Sequence, residues 1–224
     1  MIGGLAAGGY GIWYLFLQGP GPAAVSSAAP IPTGATTNLT ATDGEWTVDS
    51  SIGSFSDFSD SWVGYRVQEQ LASIGANVAV GRTPNVTGTL QMQGSTVQSA
   101  AITADLTSLQ SNDQRRDGQL VRQGIETARF PNATFALTQP IDLGSVPADG
   151  ATTTVSATGN LTLHGVTKSV QVPLTITRQG DVVGVTGSID IAFADYSITP
   201  PTSFLVLSVA DHGTMELQIY FRYS

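Results

Sequence analysis

The stretch from Thr153 to Ile176, centred on LTLHGVTK, admits a single strand register. His164 and Gly165 make a two-residue loop with glycine second, where a type I′ turn needs positive φ and glycine adopts it at little steric cost. Counting outward from Leu163 opposite Val166, one face pairs Leu161 with Lys168, Gly159 with Val170, Ala157 with Val172, Val155 with Leu174 and Thr153 with Ile176. The other face pairs Thr162 with Thr167, Asn160 with Ser169, Thr158 with Gln171, Ser156 with Pro173 and Thr154 with Thr175. One face is apolar and the other polar, so a slip by a single residue would invert both. A hairpin this long cannot bury its apolar face alone and demands a curved, closed or double-layered sheet around it. Lys168 carries the one charge on the inward face, beside the turn, where a barrel would open. Snorkelling to water at the rim is the plain alternative to a ligand contact there.

Composition agrees with an all-β chain: 25 Gly, 11 Pro and only 12% charged residues, with apolar residues in short runs. A length of 224 residues suffices for one barrel or sandwich plus extensions. The net charge of -8, from 17 acids against 9 bases, argues against nucleic acid or an anionic membrane surface as partner. The absence of cysteine excludes disulfides and thiolate metal sites. Two histidines, His164 and His212, are too few for a tetrahedral zinc site without carboxylate help.

Residues 1–17 carry no charge and include Tyr10, Trp13, Tyr14 and Phe16, an aromatic end suited to a membrane interface. The segment is at the short limit for a span and lacks flanking Lys or Arg. A retained membrane anchor, incomplete if the true start lies upstream, is the favoured reading; a removed secretory signal and a glycine-rich tail packed on a partner are the alternatives. Residues 18–44, rich in Gly, Pro, Ala, Ser and Thr, read as a flexible tether outside the core, and the folded domain spans 45–224.

Within that domain Trp46–Asp49 opens as a strand, followed by a Ser/Asp/Phe-rich loop whose Phe55 and Phe58 serve as a lid or pack on the barrel. In WVGYRVQEQL, Val63, Tyr65 and Val67 share one face and Trp62, Gly64 and Arg66 the other, before a helical turn expected at 68–74. A strand pair spans about 85–106 across a tight Gly94-Ser95 loop. From Ser111 to Arg129 the pattern suits one short surface helix, with Leu120, Val121 and Ile125 on its apolar side. Strict alternation returns at 182–193 and in the closing strand, where Met215, Leu217, Ile219 and Phe221 alternate with Glu216, Gln218, Tyr220 and Arg222. The count is eight or nine strands.

No nucleophile elbow accompanies the serines and histidines, and the carboxylate pairs read as solvated rim charges, so no catalytic residue is assigned and the chain is not read as an enzyme. Three motifs in order, Arg115-Arg116-Asp117 to Leu120, Phe130-Pro131 to Phe135 and Leu161 to Lys168, together with Trp46-Thr47-Val48-Asp49, resemble the YceI-like family over about residues 45–223. The resemblance implies a single antiparallel eight-stranded lipocalin-like barrel of the exported, polyisoprenoid-associated kind, with no cofactor beyond a polyisoprenoid or quinone-like lipid. Tyr65 stands where that family usually has phenylalanine, and Ala194-Asp195-Tyr196-Ser197 replaces its common arginine-aspartate-phenylalanine-glycine ending.

Those departures bear on the ligand rather than the fold. An eight-stranded barrel is just wide enough for one elongated apolar ligand. Val155, Leu161, Leu163, Val170, Val172 and Leu174 are the expected wall for its tail, with Tyr65 beside them. Lys168, Arg115 and Arg116 are the candidates for its head; solvated helix charges paired with Asp113 and Asp117 are the competing reading of the arginines. A structural or accessory subunit, with a self-filled barrel docked on a membrane protein complex, is the alternative to lipid binding.

Overall fold

The structure, a computed structural model, describes residues 21–26, 28–30, 42–72, 75–111, 113–201 and 206–224, with the backbone alone for Arg115. Strands β1 (Gly44–Val48), β2 (Trp62–Leu71), β3 (Gly75–Thr83), β4 (Val86–Gln93) and β5 (Thr96–Asp105) follow one another. The short β6 (Gln110–Ser111) then leads into helix α1 (Gln114–Arg122). After it come β7 (Asn132–Leu137), β8 (Ile141–Asp142), β9 (Thr152–Leu163), β10 (Val166–Gln179), β11 (Val182–Ala192), β12 (Val206–Val209) and β13 (His212–Tyr223).

Eight of these strands, β1, β4, β5, β7, β9, β10, β11 and β13, form a closed antiparallel ring, because β1 pairs with both β4 and β13. Closure removes the exposed edges that a sheet of this size would otherwise present. On the edge away from β11, β13 serves two neighbours: Phe221 to Tyr223 pair with β1, while Thr214 to Gln218 pair with β2. The β2–β3 hairpin therefore extends the wall at one end.

The central hairpin, β9–β10, has every expected pair, from Leu163 with Val166 out to Thr153 with Ile176. His164 and Gly165 both have positive φ, 52° and 75°, as a type I′ turn requires. A Cβ at Gly165 would also stand 2.7 Å from the Phe130 ring, so glycine is needed there for space as well as for backbone conformation. Inward residues of the ring, among them Trp46, Met92, Val97, Ile176, Ile219 and Phe221, form the main core.

Two expectations change, and between them an open alternative, lid or wall for Phe55 and Phe58, is decided for the wall. The turn expected at 68–74 is strand where it is described: β2 continues to Leu71, which pairs with Gly75, because β3 offers Gln68 to Leu71 a complete ladder, and 73–74 lie outside the described residues. Phe55 and Phe58 pack edge to face at 5.2 Å on the outer wall, where the Phe58 ring lies 4.5 Å from the Arg82 guanidinium. The second change concerns the tether. Its described residues 21–26 and 28–30 lie along the outside of the barrel as a strap. Arg66 Nη2 donates to the Pro22 carbonyl at 2.9 Å, Arg82 Nη2 to that of Ala23, and the Tyr220 hydroxyl to that of Pro30 at 2.8 Å. The Val25 amide donates to Glu216 Oε1 at 3.2 Å, and Ala29 packs with Ile52, Val182 and Tyr220. Outward polar side chains of β2, β3 and β13 thus satisfy an extended backbone that has no sheet partner. The anchor assigned to residues 1–17 lies outside the described residues; among those described, no helix is long and apolar enough to cross a membrane.

Candidate functional site

The ring is not filled by its own side chains. A cavity of about 130 Å³ runs inside it, lined by residues of seven ring strands together with Val63 of β2 and Ile141 of β8. Small inward residues, Ala100, Ala104, Ala133 and Ala157, stand where larger ones would close the space. Only Thr134 interrupts an otherwise apolar lining. Such a wall has no capacity to polarise a bond or hold a metal; what it can do is exchange water for hydrocarbon.

One end of the barrel is covered by α1, the segment 123–131 and a 3-10 turn at Phe193–Tyr196. His164 fastens all of this to the central hairpin. Its ring is buried, with Nδ1 2.9 Å from the Tyr196 carbonyl and Nε2 2.8 Å from Glu126 Oε2. A carbonyl only accepts, so Nδ1 donates to Tyr196, and Nε2 shares the second hydrogen bond with the Glu126 carboxyl group. Phe130 packs edge-on against the same ring at 4.4 Å between centroids. Helix α1 is held by a buried ion pair, Arg116 Nη2 to Glu69 Oε1 at 2.7 Å, with Asn77 Nδ2 donating to the same oxygen at 2.6 Å.

Two tyrosines near this covered end pack beside residues that line the cavity, though neither lines it itself. Tyr65 is inward by the alternation of β2 and pairs across the ladder with Met215, which lines the cavity. Tyr196 packs with Leu161 and Ile191 in a cluster that Met215 also joins. Both hydroxyls are buried without a hydrogen-bond partner in the structure. Desolvation raises the pKa of each above its ordinary value, Tyr65 strongly and Tyr196 with help from the Asp195 charge, so both remain protonated donors.

Of the residues expected to contact a ligand, Leu161, Val172 and Leu174 line the cavity directly. Val155 belongs to the core around it, and Leu163 and Val170 to the cluster at the covered end. The head-group candidates lie elsewhere. Lys168 has the expected register, but its side chain is 46% exposed at the rim and pairs with Asp195 Oδ1 at 3.2 Å. Arg116 is committed to Glu69, and Arg115 is on α1 with no described side chain. His164, read from the sequence as a turn residue alone, is the functional neighbour that reading missed; its contact with Phe130 joins two of the three motifs.

A YceI-like domain model matches residues 46–221. The chain belongs to the YceI-like family. A UPF0312 protein of Vibrio parahaemolyticus is 32% identical to this YceI-like chain over 130 residues, 53% of this chain and 59% of that protein. Protein YceI of Escherichia coli O157:H7 is 38% identical over 81 residues, 36% of this chain and 38% of its own. The chain thus spans about three fifths, 59%, of the Vibrio relative it matches. Among solved structures, a polyisoprenoid binding domain from Saccharophagus degradans implicated in plant cell wall breakdown has a TM-score of 0.61 at 18% identity, covering 81% of this chain and 99% of that one. Burkholderia cenocepacia BcnA gives 0.56 at 19% identity, covering 77% and 98%. These likenesses establish the barrel fold.

Proposed function

We propose that this YceI-like barrel binds an elongated apolar lipid of the isoprenoid type in its interior, without catalysing a reaction on it. The observation that carries the reading is the apolar cavity itself: each methylene it removes from water contributes about 0.8 kcal/mol, so a long chain gains affinity without any specific contact. The description of the Saccharophagus neighbour as polyisoprenoid binding supports the same class of ligand. A cavity along the barrel counts against a self-filled accessory subunit.

Lipid extraction and native mass spectrometry of the purified protein test this. A co-purifying long-chain lipid is expected, and Ala157→Phe, which projects a ring into the cavity, should displace it while the protein still melts cooperatively. Protein that neither carries lipid nor takes up an added polyprenol would overturn the reading. We further propose that the domain works outside the cytoplasm, tethered through residues 1–17. Protease treatment of spheroplasts should then remove it, and protection until lysis would refute the placement.

A further inference from the structure

We propose that the covered end of the barrel, together with the adjoining β2–β3 hairpin, docks on a lipid bilayer and is held there by the strap. This rests on the tethering through residues 1–17 proposed above and adds which face of the domain meets the membrane. Three observations carry it.

The first is the course of the strap. Val25 reaches Glu216, which pairs with Gly64 of β2, and Pro22 reaches Arg66, further along the same strand. Gly21 goes further again: a Cβ there would stand 3.0 Å from Val80 Cγ2 and 3.7 Å from the carbonyl of Val78, which pairs with Gln68. Followed toward its N-terminus, the strap therefore climbs β2 and β3 toward the tip of their hairpin, where Leu71 pairs with Gly75. That tip belongs to the covered end, because Glu69 beside it holds Arg116 of α1.

The second is reach. A free tether over residues 18–44 would let the domain present any face to a membrane, but Gly21 lies fixed against β3. The four steps from Leu17 to Gly21 span at most about 14 Å. Trp13, Tyr14 and Phe16 put the interfacial end of the apolar segment next to those steps. A membrane that holds residues 1–17 is thus confined to the neighbourhood of Val80 and the hairpin tip. The far end of the wall is out of range: β13 runs on from Thr214, opposite Arg66, to Tyr223, roughly 30 Å of strand.

The third is the surface itself. Among the described residues, the large apolar side chains left exposed are Val121, at 38%, and Leu207, at 64%. Scattered ones are ordinary on a protein surface, but both of these fall at the covered end. Leu207 lies in β12, which pairs with Glu69 to Leu71, beyond the part of β2 that β13 serves. Val121 is near the end of α1, and the Gly124 that follows bridges to Thr199 and abuts Pro201, just ahead of β12. Exposed charges at this end are of both signs, Arg122 and Arg129 against Asp195 and Asp211, which suits a zwitterionic bilayer better than a strongly anionic one.

Site-directed fluorescence tests the orientation, and the absence of cysteine makes single-cysteine labelling clean. Full-length Val121→Cys and Leu207→Cys, with Gln93→Cys and Ala148→Cys at the opposite end, are each labelled and reconstituted into phosphatidylcholine liposomes containing a doxyl-quencher lipid. Labels at 121 and 207 should lose about half or more of their emission, since side chains docked at an interface sit roughly 5–10 Å into the headgroup region, within reach of the quencher. Labels at 93 and 148 should be unaffected. A long Gly/Ser insertion after Leu17 should lower the quenching at 207 while the protein still floats with the liposomes. Quenching at 93 or 148 as strong as at 207, or none at any position in protein that floats, overturns the docking face and leaves the tether standing; quenching at 207 that the insertion does not lower overturns the strap's part. Protein that does not float overturns the tether and this inference together.

Discussion

Val172 and Gln171 are adjacent in β10 and differ only in which way they face. Val172 is 3% exposed and lines the cavity, whereas Gln171 is exposed on the outer face opposite Thr158. A carboxylate at the first position meets only apolar side chains, with no cation or donor to compensate its desolvation. Val172→Asp is expected to destabilise the barrel by more than about 3 kcal/mol, and Gln171→Asp by less than about 0.5 kcal/mol. Thermal denaturation of the two variants decides it, and equal shifts would contradict the assigned faces. This much was legible from sequence, since a period of two leaves no freedom in the register once the turn is set. The rim position of Lys168 was legible too: it lies on the inward face by register, and its long side chain snorkels to the rim, where it meets Asp195.

The turn between β9 and β10 does more than reverse the chain. His164 connects three segments that are remote in sequence, the hairpin, the stretch holding Glu126 and Phe130, and the 3-10 turn ending in Tyr196. Its loss removes two hydrogen bonds and leaves the Tyr196 carbonyl without this donor. His164→Ala should therefore cost roughly 2–4 kcal/mol. The damage should also be local, because the ring strands keep their ladders. Hydrogen exchange should accelerate at 123–130 and 193–199 while β10 and β11 keep their protection; uniform acceleration would mean that His164 supports the whole barrel instead. The sequence could not supply this role, because a histidine in a two-residue loop looks solvated until the chain that covers it is placed. The same holds for Arg116. Its charge was legible, but its partner Glu69 lies 47 residues away, on a part of β2 expected to be helical.

At the scale of the whole molecule, the barrel has a second buried layer on its outer wall. Trp62, Glu216, Gln218 and Tyr220 face outward by the alternation of β2 and β13, yet each is 4% exposed or less. Alternation tells inward from outward but cannot tell outward-wet from outward-covered; the cover comes partly from the Ser/Asp/Phe-rich loop, whose Phe58 and Asp60 carbonyls accept from Trp62 and Gln218, and partly from a Gly/Pro/Ala segment whose composition suggests a free tether. The strap is matched to what it covers. Glu216 accepts from Val25 and Arg66, Arg82 stacks 3.7 Å from the Trp62 ring and donates to Ala23, and Tyr220 donates to Pro30. Deleting residues 1–30 removes the bonds made to Pro22, Ala23, Val25 and Pro30 and uncovers the cluster around Ile52, Val182 and Tyr220. With each hydrogen bond contributing about 1 kcal/mol and Ala29 adding its buried methyl, the loss should be roughly 3–5 kcal/mol. The ring and its cavity contain no strap residue, so the truncated protein should melt at a lower temperature but take up polyprenol with unchanged affinity. Arg82→Met in the full-length chain should reproduce part of the destabilisation, because it strands Glu216 beneath the strap with one cation fewer. An unchanged melting temperature in the truncated protein would show that the strap is dispensable to the fold, and a tenfold loss of lipid affinity would show that it shapes the cavity through the wall it covers.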